Sequence, residues 1–205
     1  MVHQVLQHFG FRYSSPQSTP LPTGHSLSAP PSDESVEPSG PHRPEHWEAA
    51  KRVLRHLCST SGMGLVLGGR GQVVLTGHAD ASWWTSNNTF YLGSGSVSWR
   101  SIRSSSVLSL SCEAEIYAGA MAAQELRWLT YLLADLGERP RSSPVLYVDN
   151  KAMIALCQEH RTKHIALRYF LPRELQQRGQ LRLAYVATRA NTADIFTKAL
   201  QSGDH

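Results

Sequence analysis

Four acidic side chains carry the chemistry that this 205-residue chain could perform: Asp80, Glu115, Asp149 and Asp194, spaced 35, 34 and 45 residues apart. Each has an ordinary explanation by itself. Asp149 follows the apolar run Val145-Leu146-Tyr147-Val148 and could cap the next helix. Asp80 lies in Gly77-His78-Ala79-Asp80-Ala81-Ser82-Trp83 and could serve a turn. Asp194 falls in the first turn behind a capping Asn191. As a set they are more informative, because burying unpaired charge on apolar elements is costly. Hard carboxylate oxygens gathered from several elements suit Mg²⁺ or Mn²⁺. Two such ions about 4 Å apart could activate a water and stabilise the leaving oxygen of a phosphodiester. Other chemistries find little support. The serines and cysteines lack a nucleophile elbow or triad context. Cys58, Cys112 and Cys157 form no CxxC pair, which argues against a zinc knuckle or a disulfide framework.

The elements that must position these acids can be read from the pattern. Glu113 to Leu136 is the longest helical signal, closed by Gly137. Stepping four and three residues from Glu115 meets Gly119, Ala122, Leu126, Leu129, Leu133 and Leu136, so Glu115 heads the core-facing stripe. The same steps from Glu113 meet Tyr117, Ala120, Gln124, Arg127 and Tyr131, a wetter face, where a first-turn acid suits the helix dipole. Glu115 is the functional candidate. Asp149 ends a buried strand, and ligands of open α/β sheets bind at the carboxyl ends of strands.

Strand-like runs are expected at Met63–Leu67, Gln72–Thr76, Thr89–Leu92, Gly95–Trp99, Val145–Val148 and Leu181–Val186. Helices are expected over Lys151–Gln158, over Thr162–Gln177 with an interruption at Pro172, and from about Thr192 to Leu200. From residue 63 onward this order predicts an α/β domain with a mixed sheet. Upstream, eight of the eleven prolines fall between Pro16 and Pro44, among Ser, Thr and Gly. Such a stretch buries too little to offset its ordering entropy. Order is expected from Pro44, with an amphipathic connecting helix over 45–62, a domain over 63–200 and a tail over 201–205.

At 41% hydrophobic and 18% charged, the chain is neither disordered nor fibrous as a whole. No apolar run approaches the roughly 20 residues of a membrane span. The first residues lack a secretory pattern, so an intracellular location, cytoplasmic or nuclear, is expected. A net charge of +4 hints at a polyanionic partner. Arg161, Lys163, His164, Arg168 and Arg173 form a basic segment suited to phosphate. The five tryptophans are expected in core or hairpin packing.

These residues resemble the ribonuclease H domain of Ty/copia-type LTR-retrotransposon polyproteins. The resemblance runs through His46-Trp47-Glu48-Ala49-Ala50-Lys51, His78-Ala79-Asp80-Ala81-Ser82-Trp83, Gly93-Ser94-Gly95-Ser96-Val97-Ser98-Trp99, Ser111-Cys112-Glu113-Ala114-Glu115-Ile116-Tyr117, Leu146-Tyr147-Val148-Asp149-Asn150, Arg161-Thr162-Lys163-His164-Ile165 and Ala193-Asp194-Ile195-Phe196-Thr197-Lys198. Residues 1–44 resemble the tail of a preceding reverse transcriptase region followed by a Pro-rich linker. The resemblance implies a five-stranded RNase H-like mixed sheet flanked by helices. It implies an endonuclease that hydrolyses the RNA strand of an RNA·DNA hybrid. Asp80, Glu115, Asp149 and Asp194 would be the catalytic acids holding two Mg²⁺ or Mn²⁺ ions. Asn150, Arg161, Lys163 and His164 would contact substrate. The 2′-hydroxyl is the group by which such a site tells RNA from DNA. No small-molecule cofactor or membrane is implied, and the partners would be the hybrid and the reverse transcriptase portion of the parent polyprotein. Relative to the family, the loop over 84–89 looks shortened. A catalytically inactive remnant that at most binds nucleic acid is the alternative.

Overall fold

The computed structural model describes residues 1–22, 44–65, 67, 74–81, 85–103, 111–138, 140, 142–158 and 170–196, with backbone only for Arg103 and 111–113. The chain divides into two compact units, Met1–Gly64 with Lys198–His205, and Leu65–Thr197.

In the first unit, α1 spans Val2–His8 and buries Leu6. α2 spans Pro44–Thr60, with Pro44 opening the first turn and Glu45 set favourably to the dipole. Its Arg52 donates to Thr19 Oγ1 at 2.9 Å, and Ser59 donates to the Gln17 carbonyl at 2.9 Å. Most of the Pro-rich stretch expected to lack order, residues 23–43, lies outside the described residues.

The second unit is built on a five-stranded sheet in the order β3-β2-β1-β4-β5. β1 (Leu75–Ala81), β2 (Thr85–Leu92) and β3 (Gly95–Arg103) form an antiparallel meander. β4 (Val145–Val148) lies parallel to β1, and β5 (Arg182–Tyr185) lies parallel to β4. Between β3 and β4 runs α3 (Ser111–Asp135). Gly137, at φ +81°, ends it, and Glu138 N–H returns to the Leu133 carbonyl at 2.8 Å. α4 (Lys151–Gln158) and α5 (Leu171–Gln177) complete the helical cover. The core joins Leu75, Ala79 and Phe90 of the meander to Ile116, Ala122, Leu126 and Leu129 of α3, with Leu146, Val148, Met153, Leu175 and Leu183. The stripe headed by Glu115 is buried as far as Leu129, but Leu136 at its end is 69% exposed. Among the described residues no helix is long and apolar enough to cross a membrane.

Several expected elements are displaced. Met63–Leu65 form no strand, Gln72 and Val73 lie outside the described residues, and the first strand among the described residues is Leu75–Ala81, which runs on past the Thr76 expected to end it. Asp80 thus lies within a strand, not in a turn beyond one. The shift was hidden by Gly77, a poor strand former that close packing demands. A Cβ there would stand 3.0 Å from the Phe90 ring and 3.2 Å from Leu126. Residues 85–88, expected in a shortened loop, are strand instead, with Ser86, Asn87 and Asn88 buried. Pro172 sits in the first turn of α5, where its missing N–H costs nothing. The segment 159–169, expected to be partly helical, lies outside the described residues. Of the helix expected from Thr192 to about Leu200, the described part is a 3₁₀ turn over Thr192–Phe196, and residues 197–200 lie outside the described residues. Of the tryptophans expected in core or hairpin packing, Trp99 stands on the β2–β3 hairpin, Trp47 and Trp128 lie on helices, all three are more than half exposed and outside the core, and Trp83 and Trp84 lie outside the described residues.

The tight approach at Gly77 yields a stability prediction. Gly77→Ala should lower unfolding free energy by about 1–3 kcal/mol, the usual range for overpacking, measured by urea denaturation. A wild-type midpoint would show that the Phe90 ring yields without cost.

Candidate metal centre

Parallel pairing of β1 with β4 aligns Ala79 with Val148, so the residues that follow, Asp80 and Asp149, emerge side by side at the same end of the sheet. Asp80 is buried on a strand paired on both edges. Asp149 comes where β4 stops, at the carboxyl end of a strand, where ligands of such sheets bind. Glu115 reaches the same place from the first turns of α3 and accepts a hydrogen bond from the Ala81 backbone. Asp80, Glu115 and Asp149 each offer a carboxylate oxygen, and these lie within 4.8 Å of one another.

Asp194 enters in the 3₁₀ turn over Thr192–Phe196 and is buried. It is near enough to disfavour ionisation of Glu115, more weakly than Asp80 and Asp149 do, but it does not join the cluster of three. The structure therefore brings three of the four sequence candidates into direct range and the fourth to their periphery. Glu113, the competing glutamate, has its side chain outside the described residues.

Gathering these groups shows in their protonation. Burial, then the charges of Asp80 and Asp149, push the Glu115 carboxyl up to about 8. Its Oε2 is buried and has no hydrogen-bond partner among the described residues. An acceptor oxygen withheld from water and from donors, beside two further carboxylates, suits a divalent cation bound through oxygen. The residues present fit such an ion.

Asn150 was expected to contact substrate. Its Oδ1 accepts the Met153 N–H at 3.0 Å, capping α4. Asp149 is thereby released from the capping role that its position suggested. It instead accepts a hydrogen bond from Thr188 Oγ1 at 2.9 Å. Thr188 escaped the sequence reading, since a lone threonine carries no spacing signal. Arg161, Lys163 and His164 lie outside the described residues.

The order β3-β2-β1-β4-β5, the antiparallel meander running into a parallel pair, and acids at the carboxyl ends of the central strands define an RNase H-like domain. The relatives are more particular. The chain is 38% identical to the retrovirus-related Pol polyprotein of transposon RE2 from Arabidopsis thaliana, over 76% of its own length. A stretch of 95 residues, 42% of the chain, is 43% identical to secreted RxLR effector protein 161 of Plasmopara viticola and covers 67% of that protein. This chain belongs to the Pol sequences of Ty/copia-type retrotransposons. It spans only about 12% of the RE2 polyprotein. No protein-family model matches it. Among solved structures, the N-terminal RNase H domain of a Mycobacterium tuberculosis protein is 16% identical, covering 61% of this chain and 91% of that one at a TM-score of 0.42. The fold assignment rests on strand order and register, not on that likeness.

The raised Glu115 carboxyl has a consequence for stability. The folded chain keeps a proton that the unfolded chain releases, so ion-free stability should fall as pH rises from the ordinary value of 4.5 to about 8, then level off. The slope contributed by this group is at most about 1.4 kcal/mol per pH unit. Glu115→Gln should flatten that decline and stabilise the ion-free protein above pH 8. Denaturant titrations in chelator at low and high pH test this, and equal slopes in both proteins would refute it.

Proposed function

We propose that this chain is a ribonuclease H that hydrolyses the RNA strand of RNA·DNA hybrids with the help of two Mg²⁺ or Mn²⁺ ions. The observation that carries the reading is the meeting of Asp80, Glu115 and Asp149, from a strand, a helix and a strand end, within 4.8 Å. Asp194 would complete the ligand set. Bound ions would supply activation of the attacking water and charge stabilisation at the departing 3′ oxygen.

The chain's own residues do the positioning. Asp80, on a doubly paired strand, is the rigid member. Thr188 orients the Asp149 carboxylate by donating to Oδ2. Glu115, protonated at neutral pH in the ion-free site, must release its proton as cations enter, so ion affinity should rise with pH. Asn150 retains its amide N–H groups for substrate while its oxygen caps α4. Arg161, Lys163 and His164 would meet phosphates. The reverse transcriptase portion of a longer polyprotein is the partner this reading implies, and an intracellular site of action goes with it.

Purified chain, given an RNA·DNA hybrid and Mg²⁺, should cut the RNA strand and leave 5′-phosphate and 3′-hydroxyl ends. Asp149→Asn and Asp80→Asn should each reduce the rate by more than the ~10–100-fold typical of losing an outer-shell partner. A wild-type protein that leaves the hybrid intact, indistinguishable from Asp149→Asn, would identify an inactive remnant instead.

A further inference from the structure

We propose that Asn191 is a positioning residue that fastens the segments carrying Asp80, Asp149 and Asp194 into one frame. The inference rests on reading those acids as metal-binding groups. Asn191 lies outside the acidic cluster, yet it is 3% exposed and its hydrogen bonds lead toward all three aspartates. Its Nδ2 donates to the Ala79 carbonyl at 3.0 Å, one residue before Asp80. Its backbone carbonyl accepts the Asp194 N–H at 3.1 Å, and its Oδ1 accepts the Ala193 N–H at 3.3 Å. Its own N–H donates to the Thr188 carbonyl at 3.1 Å, and the Thr188 hydroxyl is the group that donates to Asp149. A further hydrogen bond joins its side chain to His78, two residues before Asp80.

The residue type fits the task. A carboxamide donates and accepts at once, and it brings no charge into a place crowded with negative oxygens. Replacing it by Asp would lose the donor to Ala79 and add a further repulsive carboxylate. Nearby, Thr89 and Thr192 hydrogen bond at 2.7 Å and also hold the 192–196 turn to the sheet. That bond fastens the turn to β2 without reaching the backbone beside Asp80 or the partner of Asp149. It supplies a comparison in which docking is weakened and the frame is not.

The test uses the full chain with Asn191→Ala, Asn191→Ser and Thr89→Val. Serine can keep the local turn bond to Ala193 but is too short to reach Ala79, so it separates turn from tether and stands in should the alanine variant not fold. Mn²⁺ affinity is measured by calorimetry, and amide exchange over 188–196 is followed in the ion-free protein. Both Asn191 variants should lose about 10–100-fold in Mn²⁺ affinity, as for outer-shell partners generally, and exchange faster over 188–196. Thr89→Val should lower the melting temperature with Mn²⁺ affinity held within about threefold, well short of that outer-shell range. Folded Asn191 variants with wild-type affinity overturn the proposal and leave the metal centre standing. A wild-type chain that takes up no Mn²⁺ overturns the metal reading instead. Exchange then decides the tether alone: faster exchange in the variants supports it, and unchanged exchange overturns it.

Discussion

Mutual repulsion among carboxylates is the constraint on which this domain is organised. Asp80, Glu115 and Asp149 are held within 4.8 Å of one another with Asp80 buried, an arrangement that no pair of them would adopt unaided. Burial first, and then the charges of Asp80 and Asp149, raise the Glu115 carboxyl to about 8. A scaffold that keeps such groups together must be stiffer than their tendency to part. The stiffness has an identifiable source: β1 is paired along both edges, antiparallel to β2 and parallel to β4, so Asp80 cannot retreat without breaking a ladder.

The rest of the second unit follows from that requirement. α3 must lie close to β1 if Glu115 is to reach past Ala81, and close approach is provided by small residues: Gly77 on the strand, Ala118, Ala122 and Ala123 on the helix. Phe90 and Leu126 fill the space those small residues leave, so the packing that stabilises the sheet also sets the height of Glu115 above it. The pocket that concentrates negative charge and the apolar core beneath it are two ends of the same helix–sheet contact.

How far this could be read from sequence depends on which elements advertise themselves. β4 is a short apolar run, and Asp149 at its end is conspicuous. α3 has a clear apolar stripe, and Glu115 at its head stood apart from Glu113. β1 and β2 were misplaced because their sequences follow another logic. Leu75-Thr76-Gly77-His78-Ala79 lacks the β-branched, aromatic signature of a strand, and Thr85-Ser86-Asn87-Asn88-Thr89 reads as a polar loop. Both are strands because neighbours on each side satisfy their backbones, and burial there selects small or hydrogen-bonding side chains over apolar ones: Asn87 Nδ2 donates to Thr85 Oγ1 at 3.1 Å. The described tryptophans stand outside the core, Trp99 on the β2–β3 hairpin and Trp47 and Trp128 on helices: a core whose sheet–helix contact is set by glycine and alanine has little room for an indole.

A local regularity shows how acids can be spared for a shared site. At helix starts and tight turns, aspartate and asparagine compete for the same backbone job, accepting a nearby N–H. Both Asp149 and Asp194 stand where that job needs doing, and in both places a neighbouring asparagine does it. Asn150 caps α4 through Met153, and Asn191 closes the turn through Ala193. Had the aspartates been the caps, their oxygens would have been committed to backbone donors and turned away from the cluster. With a neutral amide taking the local bond, Asp149 accepts instead from the Thr188 hydroxyl on Oδ2. The Asp–Asn step at 149–150 and the Asn-Thr-Ala-Asp run at 191–194 therefore share one device, in which the amide secures the backbone; at 149–150 this leaves the Asp149 carboxylate to the cluster of three.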